Sequence, residues 1–179
     1  MKLRTWIIIL IVLVIDAGIL WWWQGYRLAR SQDAVIRAAA EHYDLDPALV
    51  KAVVWRESRF DVEARGTSGE LGLMQIRAAA AGEWAEAAGI SDFHHAHLLN
   101  ATSNTLCGAW YLRTLLDRYP HTDDPLPFAL ADYNAGRAHV NRWAKEAART
   151  NGAAFLQNID YPSTRRYIDQ VTHRRDHYR

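Results

Sequence analysis

Apolar residues along this chain recur mostly at intervals of three and four. The pattern runs through residues 33–43, 47–60, 104–119, 126–134, 138–150 and 162–177, and it is the spacing of helices with one buried face. In the third segment Leu106, Ala109, Leu112, Leu116 and Tyr119 form a stripe, and in the last Tyr167, Ile168 and Val171 form another. Gly136 and Gly152 read as helix stops. No run alternates long enough for a confident strand, although the glycine-rich stretch 67–76 has room for a short hairpin. The predicted body is all-α and occupies residues 33–179.

A different pattern opens the chain. Positions 6–23, "WIIILIVLVIDAGILWWW", are apolar on every face, and as a helix they would run ~27 Å, close to the hydrocarbon core of a bilayer. Asp16 costs ~3 kcal/mol on insertion scales, but eleven Ile, Leu and Val residues at about −0.3 to −0.6 each outweigh it. Trp21, Trp22, Trp23 and Tyr26 then fall where an interfacial aromatic belt belongs. The expected organisation is a short N-terminal segment at 1–5, a transmembrane anchor or uncleaved signal at 6–23, a polar connector at 24–32 and one globular domain beyond it. The competing reading is a cleaved signal peptide with "MKLRT" as its basic region, but "IDAGIL" offers no good small-x-small cleavage site. Either reading exports the body.

Composition fits this division. The chain has 179 residues, half of them hydrophobic and 23% charged, as one folded domain with an appendage would. Its net charge of +1 splits unevenly: Lys2, Arg4, Arg27 and Arg30 against Asp16 give +3 to residues 1–30, which leaves −2 on the rest. A body of that charge is not a nucleic-acid binder. The single cysteine, Cys107, excludes an intrachain disulfide and a cysteine-rich zinc site, and reads as a small core residue.

One letter breaks the helical pattern. In "DPALVKAVVWRESRF" an Asp–Pro start signal precedes a helix whose Leu49, Val50, Val53 and Val54 share a face, and Glu57 falls only ~20° from the direction of Val50. A carboxylate stands where a core residue is expected. Three further segments set polar or glycine residues in apolar surroundings: "TSGELGLMQI" at 67–76, "ALADYNAG" at 129–136 and "YPSTRRYI" at 161–168.

With Glu57–Ser58, the "GLMQI" run, "NTLCGAWYL" and "YNAG" in this order, the chain resembles the lysozyme-like lytic transglycosylases of the soluble-lytic-transglycosylase type, over about residues 35–171. The resemblance implies a lysozyme-like fold and a role for each matching residue. Glu57 matches the catalytic acid, with Tyr133 as the tyrosine whose hydroxyl contacts its carboxyl. Ser58, Gly72, Leu73, Met74, Gln75, Asn134 and Tyr167 match positions that line the sugar-binding cleft, with Gln75 bonding toward substrate. A carboxyl on an apolar face beside a phenol holds its proton near neutral pH, as a general acid must.

The implied reaction is cleavage of the β-1,4 bond between N-acetylmuramic acid and N-acetylglucosamine in peptidoglycan. Glu57 protonates the leaving oxygen and then, as base, activates the muramoyl C6 hydroxyl to close a 1,6-anhydro ring. The expected partners are glycan strands, the membrane through the N-terminal helix and an envelope-complex protein, with no nucleic acid; neither metal nor organic cofactor is implied. The expected location is a bacterial inner membrane, crossed once, with the domain in the periplasm. Two rivals are a hydrolytic muramidase on the same fold and a catalytically silent peptidoglycan-binding component. Hydrolysis needs a second carboxylate, for which Glu70 is the serious candidate and Asp61 and Asp132 weaker ones.

The pattern departs from the family at Ser163, where Glu is usual, at Asp132, where Ala is common, and in "IRAAAAGEW", which lacks a customary Pro. "HHAH" at 94–97 reads as a solvated loop, "RRDHYR" at the end as a frayed basic terminus, and Trp55, Trp84, Trp110 and Trp143 as core.

Overall fold

A computed structural model describes residues 3–179; the first two positions of the expected N-terminal segment, Met1 and Lys2, lie outside the described residues. In chain order the helices are α1 (Leu3–Ser31), α2 (Asp33–His42), α3 (Pro47–Ser58), α4 (Ala78–Ala87), α5 (Ala101–Asp117), α6 (Pro125–Ala135), α7 (Arg137–Trp143), α8 (Gly152–Asn158) and α9 (Pro162–Tyr178), with 3₁₀ turns at His95–Leu99 and Glu146–Arg149. Among the described residues extended pairing is limited to isolated antiparallel bridges, Arg65 with Leu71 and Leu71 with Ile76, so the stretch read as a possible hairpin closes by two contacts only. α3 lies on α9, α5 on α2 and α6, and α6 on α9. The apolar core runs from Ile36 to Val171, and α1 contributes nothing to it.

Helix ends fall where side chains can satisfy free amides. Asp46 Oδ1 accepts from Ala48 N at 2.9 Å ahead of Pro47. Asn100 Oδ1 accepts from Thr102 N and Ser103 N at 3.0 and 3.1 Å, which starts α5 three residues before the predicted 104. The helix predicted over 138–150 stops instead at Trp143: the backbone leaves helical geometry at Ala144 (ψ 69°), and the Trp143 carbonyl accepts from Lys145 N at 2.9 Å and Asn158 Nδ2 at 3.1 Å. Gly152 is not a stop: it opens α8, capped by Asn151 and tied through its amide to Asp123 Oδ1 at 2.7 Å. α4 escaped the periodicity because alanines dominate it, yet Ala81, Trp84 and Ala85 are buried.

Two other expectations change. The polar connector 24–32 is helical through Ser31, where α1 ends; as helix, nine residues advance ~14 Å rather than the ~30 Å of an extended chain. The basic C-terminus is not frayed, since Arg179 donates to Asp46 Oδ2 at 3.1 and 2.9 Å and so closes α9 on the start of α3. Cys107 is fully buried, and burial pushes its thiol up to about 12. Trp84 and Trp143 are core residues, whereas Trp55 and Trp110 are half-buried. His94 and His97 close a capping box, and His95 Nε2 lies 2.9 Å from the Ile76 carbonyl.

Candidate active site

Glu57 sits in the last turn of α3, just before the chain leaves through Arg59 and Phe60 at φ 56° and 68°. Phe60 is buried and anchors that turn. Val50, Val53 and Val54 are fully buried on the same helix, so the helix delivers Glu57 half-buried at the edge of the core. It opens into a cleft of about 360 Å³ lined also by Glu70, Gln75, Arg77, Tyr111, Asp132, Tyr133 and Asn134.

The phenol hydrogen-bonded to Glu57 is Tyr167, not Tyr133. Tyr167, buried on α9, donates its hydroxyl to Glu57 Oε1 at 2.6 Å. Tyr133 lines the cleft but donates to the Met74 carbonyl at 2.7 Å. The reason is geometric: α9 packs along α3 and brings Tyr167 against its last turn, whereas α6 presents Tyr133 to the loop that carries Met74. The Glu57 carboxyl is raised above its usual range, chiefly by burial; the Tyr167 hydroxyl and the Arg56 guanidinium favour the ionised form, while the negative Glu70 adds to the rise. Burial prevails, as for a carboxyl in an apolar wall.

The loop opposite is built from backbone contacts. Gly72 has φ +71°, and a Cβ there would collide with Asn104 and the Leu98 carbonyl. Its openness serves the interior, not the approach of a sugar. Leu73 and Met74 are fully buried; Met74 packs on Gly108, where any side chain would strike its sulfur. Buried Asn104 holds the loop with three bonds of 2.8 Å, accepting from Met74 N and donating to the Leu71 and Leu98 carbonyls. Gln75, at φ 50°, spends its amide hydrogens on the Ala64 and Gly72 carbonyls at 3.1 and 2.9 Å.

Of the residues singled out from sequence, Glu57, Gln75, Tyr133 and Asn134 meet in the cleft. Ser58, Gly72, Leu73, Met74 and Tyr167 do not line it. Ser58 donates back to the Val54 carbonyl at 3.2 Å, and Tyr167 reaches the site only through Glu57. Asn134 is exposed, lines the cleft and accepts from Thr164 Oγ1 at 3.0 Å. Ser163 is exposed at the start of α9. Sequence reasoning missed Asn104, whose signal was a polar residue on an otherwise buried face. It also missed Arg77 and Tyr111, which carry no signal in the helical pattern.

The other carboxylates differ sharply from Glu57. Glu70 enters the cleft from the loop, accepting from Arg77 Nε at 2.8 Å and from Ser68 N at 2.9 Å. Burial pushes it up, but its own amide, Arg77 and the Ser68 amide together hold it below the usual range. Asp132 is buried at the back of the cleft, bound by Arg118 at 2.7 Å and the Tyr119 hydroxyl at 2.6 Å. Asp61 is exposed and accepts from the Glu63 amide at 3.0 Å.

These helices and the cleft they frame define an all-α, lysozyme-like domain. The chain belongs to the family described as the transglycosylase SLT domain, whose model matches residues 34–156. It is 35% identical over 121 residues to the "Membrane-bound lytic murein transglycosylase F" of Desulfosudis oleivorans, covering 66% of this chain and 24% of that one. It is 33% identical over 144 residues to the "Transglycosylase" of Enterobacteria phage PRD1, covering 80% and 45%. An inactive Glu-to-Gln mutant of the lytic transglycosylase Slt from Pseudomonas aeruginosa superposes with a TM-score of 0.73 at 26% identity, over 81% of this chain and 23% of that one. The chain thus spans about a quarter of the length of the murein relatives.

Proposed function

We propose that this protein is a peptidoglycan lytic transglycosylase in which Glu57 serves first as acid and then as base. The observation that carries the reading is the setting of Glu57 in the cleft: it takes the Tyr167 hydroxyl at 2.6 Å and burial raises its carboxyl, whereas Glu70 across from it is lowered by Arg77 and backbone amides. Glu57 gives its proton to the oxygen leaving from C1 of N-acetylmuramic acid. As carboxylate, steadied by the Tyr167 hydroxyl, it then takes the proton of the C6 hydroxyl, whose oxygen bonds to C1 and closes the 1,6-anhydro ring. No water is consumed, and the carboxyl ends protonated as it began. The names of the membrane-bound and soluble murein relatives support the substrate.

Mass analysis of products from purified sacculi tests this directly. Anhydro ends resist borohydride and are lighter by one water than reducing ends. One observation favours a second reading, because Glu70 lines the same cleft and a hydrolase needs a second carboxylate. Mostly reducible ends, abolished by Glu70→Gln, would establish the muramidase instead. Intact sacculi after long incubation would leave only a binding role.

The proposal includes the place of work. α1 is long and apolar enough to cross a membrane, and its large apolar side chains are exposed. It is read as a single inner-membrane span with the domain in the periplasm, working on glycan near the bilayer because its last turns are helical. A mature protein that starts near Ala17 and is freely soluble would overturn the tether.

A further inference from the structure

A second concavity lies behind the cleft, where the end of α5, α6, α7 and the Glu146–Arg149 turn meet. It encloses about 230 Å³, and its rim carries Arg118, His121, Arg137, Asn141 and Arg149. No carboxylate lines it, although residues 31–179 together carry −2. Arg137 and Arg149 are exposed and enter no ion pair among the described residues. Arg118 gives Nη1 to Asp132 at 2.7 Å, and Asp132 is its one ion-pair partner among the described residues.

Three guanidiniums around one hollow repel each other and present only donors; an anion relieves both conditions. A carboxylate occupies a single guanidinium fork, whereas a phosphate group has enough oxygens and charge for several at once. We propose that this pocket binds a phosphate group, at a site separate from the catalytic cleft. Its floor is shared with the cleft through one ion pair, because Arg118 faces the pocket while its partner Asp132 lines the cleft beside Tyr133. A phosphate drawing on Arg118 therefore loosens the hold on a buried carboxylate at the back of the glycan site.

The phosphate can come from a soluble compound or from a lipid headgroup, and the test separates the two. The full chain, held in maltoside micelles, is titrated with inorganic pyrophosphate and, separately, with monomeric dihexanoyl phosphatidic acid. Ionic strength is fixed with chloride, and the His121 ring resonance and the melting temperature are followed. Saturable binding with a Kd below ~1 mM to either probe is expected, and the responding probe identifies the source. Arg137→Ala with Arg149→Ala should weaken it at least about tenfold, as loss of charged hydrogen bonds does, while the ligand-free melt and sacculus digestion stay unchanged. The proposal fails if neither probe saturates by ~10 mM, if the double variant binds as well as the wild type, or if acetate binds equally.

Discussion

The two walls of the cleft each present a carboxyl, and they shift it in opposite directions. On the helical wall, Glu57 follows the buried valines of α3 and meets a phenol, and burial raises its carboxyl. On the loop wall, Glu70 is met by Arg77 and a backbone amide, which hold it below the usual range. The difference lies in what each element can supply. A packed helix pair excludes water but has few free donors, whereas a loop exposes amides and leaves room for a guanidinium. One fold thereby places an acid and an anion face to face, and the environments, not the residue types, divide the roles.

The largest break in that comparison is Glu57→Gln, which keeps shape and removes the proton. Release of muropeptides from sacculi should fall by ~10² to 10⁴. The fold should remain, and its pH dependence should change in a set direction. Because the folded carboxyl is raised above 4.5, wild-type stability from this group is complete below that value and is lost as pH rises through the folded pKa. The Gln variant lacks this loss, so the difference in melting temperature should move in its favour from acid to neutral pH. A constant difference across that range would show that Glu57 is not buried as described.

Asn104→Ala strikes the loop wall instead. It takes the side-chain partner from the Met74 amide and the Leu98 carbonyl, and leaves the Leu71 carbonyl only the Ile76 amide, a cost of about 3 kcal/mol and a fall in melting temperature of roughly 6–12 °C for a domain of this size. Activity should fall with it, since Gln75 and the Met74 carbonyl lose their seat. Glu41→Ala, exposed on α2, should stay within about 0.5 kcal/mol and serves as the reference.

Next in size is Tyr167→Phe. Its hydroxyl favours the ionised form of Glu57, so without it the carboxyl keeps its proton to higher pH. The alkaline limb of the activity profile should move up, while turnover drops about tenfold, in line with one charged hydrogen bond. Tyr133→Phe breaks only the bond to the Met74 carbonyl and should leave that limb in place. A shift with Tyr133→Phe and none with Tyr167→Phe would restore the assignment made from sequence.

What was legible in the chain was whatever depends on local order. Apolar spacing located α2, α3, α5, α6 and α9 within a few residues, and Glu57 stood out because it interrupts such a spacing. Partners drawn from distant segments were not legible. Tyr133 and Tyr167 are both tyrosines in the right motifs, and only the packing of α9 on α3 decides which one reaches the acid. The residues of "GLMQ" were expected to face the sugar because the family resemblance implies it. Here the close neighbour is Asn104, a contact across about thirty residues that periodicity does not encode. The end of the predicted 138–150 helix was hidden for the same reason, since one partner of its last carbonyl is Asn158, from the next helix.

The smallest expected effect separates the two walls most finely. Glu70→Gln removes a negative charge that raises the Glu57 carboxyl, and that contribution ranks below burial, Tyr167 and Arg56. Arg77 stays nearby with its charge less compensated, which also favours an ionised Glu57. Both changes act in one direction, so the alkaline limb of the activity profile should shift to lower pH. The shift should be smaller than that of Tyr167→Phe and should shrink as salt is raised, because the pair sits at a cleft open to solvent. Turnover at the pH optimum should stay within about threefold, far from the ~10² to 10⁴ expected for losing a proton donor. Measuring rate against pH at two salt concentrations for wild type and Glu70→Gln decides the matter. If turnover instead collapses at every pH, Glu70 is activating water, and the loop wall supplies a catalytic base, not a bystander charge.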